Sequence, residues 1–181
     1  MKNYFINNFF TTNYKYLYVF ILGCLLSFSL PPYNQTWISF LVFPLLLFFL
    51  LKNQYSNYKS FFFIGCLFGF GYFLCSLYWI HYSLNFDSDL IFLKPLTIFV
   101  IPAFLSIFYG LSFLCVKKFV STKLNFIIIF SIILAIFDFV RGYLFTGFPW
   151  NLFVYTWSWS LESIQILNLL GTYSLNLLFL K

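Results

Sequence analysis

Apolar residues run in long blocks along this chain, and the polar residues, with prolines and glycines, fall in the gaps between them. A helix that crosses a bilayer needs about 20 mostly apolar residues. Six blocks near that length follow one another, at about residues 16–30, 36–51, 60–82, 93–116, 124–143 and 161–180. The first stops at Pro31-Pro32. The second and fourth carry Pro44 and Pro102 inside them, which membrane helices tolerate and which can kink them. The sixth opens on a start signature: Ser160 can cap the first turn, and Glu162 then sits near the positive end of the helix dipole. The pattern predicts an all-α protein, a polytopic membrane helix bundle forming one domain over residues 1–181. A removable leader is the competing reading of the first block, with Lys2 and Lys15 before it and Ser27-Phe28-Ser29 near its end. The long aromatic stretch ahead of it favours an uncleaved anchor.

Composition strengthens this picture. The 181 residues are 62% hydrophobic and 8% charged, with a mean hydropathy of +0.93. A soluble domain of that composition would have no polar coat, since about 25% charged residues is usual. Thirty Phe, fourteen Tyr and five Trp give an aromatic content of 27%, suited to lipid-facing and interfacial surfaces. The net charge of +6 is scattered, and no clustered basic face for a nucleic acid is present. Its densest group, Lys117, Lys118 and Lys123, falls between two apolar blocks and reads as a loop. The four cysteines, Cys24, Cys66, Cys75 and Cys115, all lie inside apolar blocks without metal-like spacing or a disulfide framework, and read as buried inert thiols.

Charge also sets an expected orientation. With the N-terminus in the cytoplasm, six crossings put Lys2, Lys15, Lys52, Lys59, Lys117, Lys118, Lys123 and Lys181 on the cytoplasmic side. Only Lys94 and Arg141 then lie opposite, together with all four acids, Asp87, Asp89, Asp138 and Glu162. That asymmetry follows the positive-inside rule.

Few residues offer chemistry. Gly65 and Gly69 are four apart, a spacing that lets membrane helices approach closely. The third block ends in Leu77-Tyr78-Trp79-Ile80-His81-Tyr82-Ser83, where Trp79 and Tyr82 suit an interfacial belt. His81 is the only histidine and has no partner for a zinc site. Asp138 and Arg141 are an i, i+3 pair able to neutralise each other on one helix face. Arg141 also suits an anionic group, because its planar fork grips a phosphate in two places. After that helix, Gly147 permits unusual backbone angles and Pro149 stops helix continuation. Phe148 and Trp150, with Trp157 and Trp159 beyond, then form an aromatic shelf at the membrane surface. Four acids and one histidine leave little room for acid–base catalysis, and no cofactor or metal is expected.

Four blocks, in order, resemble the N-terminal membrane region of the apolipoprotein N-acyltransferases. They are Leu26-Ser27-Phe28-Ser29-Leu30-Pro31-Pro32-Tyr33; the glycine-rich run from Gly65 to Gly71, leading to Trp79-Ile80-His81-Tyr82-Ser83; Phe139-Val140-Arg141-Gly142 through Thr146-Gly147-Phe148-Pro149-Trp150-Asn151; and Leu169-Leu170-Gly171-Thr172-Tyr173-Ser174, similar to the family's sixth-helix entry. The Thr-Gly-Phe-Pro-Trp block is the specific one. The chain departs in having Asp138 where the family usually has Glu, His81 where Tyr is frequent, and Phe153-Val154 where a glycine is common. The resemblance implies a bacterial inner-membrane enzyme with its functional face in the periplasm. Its partners are a phospholipid acyl donor and a diacylglyceryl lipoprotein acceptor, whose N-terminal amine receives the acyl chain. The Glu-Lys-Cys triad belongs to a further, nitrilase-like domain, so this chain alone is expected to be inert. Its implied work is to hold lipids, with Arg141 on a phosphate and Trp79, Phe148 and Trp150 lining the acyl-chain entry, while Tyr82, Asp138, Gly147 and Pro149 complete the candidate site. The alternatives are a small polytopic transporter, for which polar mid-helix residues are scarce, and a non-catalytic membrane structural protein.

Overall fold

A computed structural model describes residues 14–86, 88–119, 126–144 and 147–179. Among the described residues every regular element is helical. The order is α1 (Tyr14–Ser27), α2 (Trp37–Lys52), α3 (Tyr58–Ser76), two 3-10 segments (Tyr78–Phe86 and Ser88–Leu93), α4 (Lys94–Val116), α5 (Phe126–Tyr143), a third 3-10 segment (Phe153–Trp157), α6 (Leu161–Leu170) and α7 (Thr172–Phe179). Three helical stretches are long and apolar enough to cross a membrane: Tyr58–Ser76, Ile91–Val116 and Phe126–Tyr143. Tyr14–Ser27, Trp37–Lys52 and Leu161–Leu170 are shorter apolar helices.

α3 is the centre of the bundle, packed between α1 and α4. Its glycines make that possible. A Cβ at Gly65 would lie 2.9 Å from Gly110 Cα, and one at Gly69 would lie 2.8 Å from Tyr109 Cβ, so both glycines face α4, as their spacing predicts. On the opposite side, a Cβ at Gly71 would lie 3.2 Å from Cys24 N of α1, and one at Gly23 would lie 3.0 Å from Tyr72 N. Between the helices the core is aromatic: Phe68, Tyr72, Phe73, Tyr109 and Phe113 are buried, and Tyr72 stacks on Phe153 at 5.7 Å. Large apolar side chains also point outward, Phe40 and Trp37 at 65% and 63% exposure among them. Buried polar side chains with apolar rings outside suit a hydrocarbon solvent, which takes apolar groups without cost but not an unpaired polar one.

Two expected helices differ in form. The block at 60–82 is α-helical only to Ser76, then continues as 3-10 turns. Ser76 Oγ donates to the Tyr72 carbonyl at 2.7 Å, His81 Nδ1 pairs with the Tyr78 carbonyl, and Ser83 Oγ donates to the Ile80 carbonyl at 2.7 Å. Such local side-chain bonds compete with the helical ladder. The block at 161–180 breaks at Gly171, whose φ of +77° is a left-handed conformation open to glycine, and its N–H closes on the Leu167 carbonyl at 2.8 Å. α6 and α7 therefore form two short helices of 10 and 8 residues. The Ser160 cap is present, with Ser160 Oγ accepting from Ser163 N at 3.3 Å. The four cysteines are half-buried. Lys2, Asp87, Lys123, Phe145, Thr146 and Lys181 lie outside the described residues.

Candidate lipid-handling site

α5 ends at Tyr143, and the chain then folds back beneath its own last turn. The Leu144 N–H bonds to the Val140 carbonyl at 2.8 Å, and the Phe148 N–H returns to the Arg141 carbonyl at 3.0 Å. Gly147 makes the reversal possible at φ +76°, and a Cβ there would press on the Gly142 carbonyl. The segment from Phe148 to Val154 is thus laid across the end of α5.

Asp138 and Arg141 are both 1% exposed, so they lie inside the bundle and not at its edge. Arg141 Nη2 donates to Asp138 Oδ1 at 3.1 Å, while Nη1 donates to the Trp150 carbonyl at 2.8 Å and the Phe148 carbonyl at 3.2 Å. Its guanidinium also stands 5.1 Å from the Phe73 ring centre. This geometry corrects the expectation of an arginine facing an external phosphate. The planar fork is turned inward, and its two-point grip is spent on main-chain oxygens. The other carboxylate oxygen, Asp138 Oδ2, accepts from Asn176 Nδ2 of α7 at 3.1 Å, and Asn176 Oδ1 accepts from the Val154 N–H at 3.1 Å. Both carboxylate oxygens and both terminal guanidinium nitrogens are thus bonded, which makes the buried pair tolerable, while the buried Arg141 Nε has no partner among the described residues.

Tyr72 Oη of α3 donates to the Asn151 carbonyl at 3.0 Å. Asn151 itself has φ +59°, a conformation that asparagine accepts more readily than most residues. Further along, Thr36 Oγ1 donates to the Thr156 carbonyl at 2.6 Å and accepts from Trp159 Nε1 at 2.8 Å. The segment after α5 is therefore held at Phe148, Trp150, Asn151, Val154 and Thr156 by side chains from four different helices or their approaches.

The indoles ride on this frame. Trp150 stacks on Trp79 with ring centres 5.4 Å apart and planes 20° from parallel, and Phe148 stands 5.8 Å from Trp150. Both indoles stay about half exposed. Beneath them lies a cavity of about 340 Å³ whose walls include Ser76, Trp79, Trp150, Asn151, Tyr155 and Ser158. Leu30 and Pro31 complete its walls, so the cavity is largely apolar, with hydroxyls, one amide and no charged group among its lining residues. A larger apolar groove of about 570 Å³ runs along Phe40, Pro44, Leu47, Phe130 and Phe153.

The structure thus brings Trp79, Phe148 and Trp150 together, with Asp138, Arg141 and Gly147 beneath them. Pro149 is exposed in the turn, and Tyr82 is exposed at 56% with its ring against His81, away from the cavity walls. Sequence reasoning missed Tyr72, Asn151, Tyr155 and Asn176. Asn176 alone carried a signal, as a polar residue inside an apolar block.

A family model described as the apolipoprotein N-acyltransferase N-terminal domain matches residues 22–180. The chain belongs to the apolipoprotein N-acyltransferase family. Among curated relatives bearing the name apolipoprotein N-acyltransferase, that of Rhodopseudomonas palustris is 32% identical over 87% of this chain and 30% of its own length. That of Rickettsia bellii is 38% identical over 62% of this chain and 23% of its own length. That of Brucella melitensis is 29% identical over 86% of this chain and 31% of its own length. The chain therefore spans about a third or less of the relatives it matches, and it corresponds to the N-terminal region of an apolipoprotein N-acyltransferase.

Proposed function

We propose that this chain is the membrane part of a phospholipid:apolipoprotein N-acyltransferase and that its own task is to hold lipid substrates. In this reading residues 1–181 form one membrane domain that crosses the bacterial inner membrane six times, with its N-terminus in the cytoplasm. Gly171 then divides the last crossing. The Trp79–Trp150 end faces the periplasm. There it presents lipid to a nitrilase-like domain, which moves the acyl chain from phospholipid to the amine of a diacylglyceryl lipoprotein.

The observation that carries the reading is the stacked Trp79–Trp150 pair over a largely apolar, uncharged cavity edged with hydroxyls and one amide. Indoles prefer the headgroup level of a bilayer. Hydroxyls and an amide match the ester and glycerol region of a lipid, which carries no charge. Trp79, Phe148, Pro149 and Trp150 form the contact surface, and Tyr82 stands at the same interfacial level. Asp138, Arg141 and Gly147 serve by holding that surface in place. Arg141 acts on the loop backbone, and the lipid phosphate stays in the headgroup layer above.

A phospholipid carrying a photoreactive group beside its glycerol tests this in nanodiscs. Crosslinks are expected on the peptides containing Trp79 and Trp150. The double substitution Trp79→Ala, Trp150→Ala should cut them roughly tenfold, the scale set by losing burial against a large ring. Labelling spread evenly over the lipid-facing helices, and unchanged by the substitutions, refutes the reading.

A further inference from the structure

We infer that Asn176 is a positioning residue, which locks the Phe148–Val154 segment, and with it the Trp150 indole, to the buried Asp138–Arg141 pair. The inference rests on the lipid-handling reading for its purpose, but its geometry stands apart from that reading.

Asn176 lies on α7 and is 0% exposed. Its amide can be oriented only one way. A carboxylate oxygen without a proton accepts and cannot donate, so the Nδ2 group must face Asp138. The Val154 N–H donates and cannot accept, so Oδ1 must face Val154. One unbroken line of bonds results: Val154 N–H to Asn176 at 3.1 Å, Asn176 to Asp138 at 3.1 Å, Arg141 to Asp138 at 3.1 Å, and Arg141 to the Trp150 carbonyl at 2.8 Å. The segment is held near its beginning by Arg141 and at its end by Asn176. Between the two grips stand Trp150 and the left-handed Asn151. α7 also seats against α5 at the same level, since Tyr173 Oη occupies the space a Cβ would need at Gly142. A leucine at 176 would fill the same volume yet leave the Val154 N–H and one Asp138 oxygen without their partner. It therefore separates the polar role from simple packing.

The protein holds five tryptophans, which label with 5-fluorotryptophan to give five fluorine resonances. Asn176→Leu should shift and broaden the Trp150 and Trp79 resonances and leave Trp37, on α2, in place. The exchanged pair Asp138→Asn with Asn176→Asp keeps one carboxylate, one amide and every donor-to-acceptor match, so it should return both resonances towards their original positions. Deuterium exchange adds a measurement that needs no substitution: the Val154 amide of the unaltered protein should be protected at least about tenfold over a free amide, and lose that protection in Asn176→Leu. The inference falls if Trp150 stays unmoved in a folded Asn176→Leu protein, or if the exchanged pair restores nothing. Should Asn176→Leu not fold, an unprotected Val154 amide in the unaltered protein overturns the inference, and a protected one supports it. Fluorine shifts as expected, together with failed lipid crosslinking, would sink the lipid reading and leave the positioning role standing.

Discussion

Replacing Arg141 by methionine should cost more than replacing Arg141 and Asp138 together. In the single variant the Asp138 carboxylate keeps Asn176 but loses its cation, at a site 1% exposed. The Phe148 and Trp150 carbonyls also lose their donor. Removing one partner of a buried ion pair costs about 3–5 kcal/mol. In Asp138→Asn with Arg141→Met the charge is gone. The two orphaned carbonyls are common to both variants and cancel; the amide that replaces the carboxylate can still accept from Asn176, and the penalty peculiar to the double variant is its own unpaired N–H donors, about 1–3 kcal/mol. The double variant should therefore be the more stable by about 2 kcal/mol, roughly a thirtyfold difference in the unfolding equilibrium. Reversible unfolding in mixed micelles, followed by circular dichroism and tryptophan emission, measures both. A single variant no weaker than the double would refute the claim that the two charges depend on each other inside the bundle.

Gly147→Ala should lose about 1–2 kcal/mol from its left-handed backbone alone, with more from pressure on the Gly142 carbonyl; a thermal midpoint in the same micelles that matches the unaltered protein would rule this out. A reporter active only outside the cytoplasm should be active when fused after Asp89 and silent when fused after Lys118, and the opposite pattern would invert the proposed orientation.

The helical architecture was legible because hydrocarbon imposes a crude rule, long apolar blocks with breaks, and α4 at Lys94–Val116 sits within a residue of its expected start at 93. Gly65 and Gly69 were legible for a similar reason, since close approach leaves a fixed spacing of small residues. The 3-10 run after Ser76 was not, because it depends on which carbonyls nearby hydroxyls and His81 capture, a matter of rotamers and not of hydropathy. Gly171 was visible, but apolar residues on both sides hid the break, and only its φ decides it. At the site, the aromatic members were legible as a cluster between Trp79 and Trp150. The direction of Arg141 was not. An i, i+3 acid–base pair looks the same in sequence whether it points out to a headgroup or in towards the core. What turns it inward is a loop that comes back to offer carbonyls, and carbonyls are present at every residue.

That last point has a consequence for how such a site responds to substitution. Arg141 and Tyr72 take hold of the loop through the oxygens of Phe148, Trp150 and Asn151, and Asn176 takes hold through the nitrogen of Val154. None of these grips reads a side chain. Mutation at 150 can therefore alter the shape and greasiness of the rim without breaking these grips, whereas mutation at 72, 138, 141 or 176 strikes the frame whatever the rim contains; Phe148, whose ring also stands 5.9 Å from the Arg141 guanidinium, belongs partly to both. Position and chemistry at the rim are thus set by different residues, so the two can be perturbed one at a time.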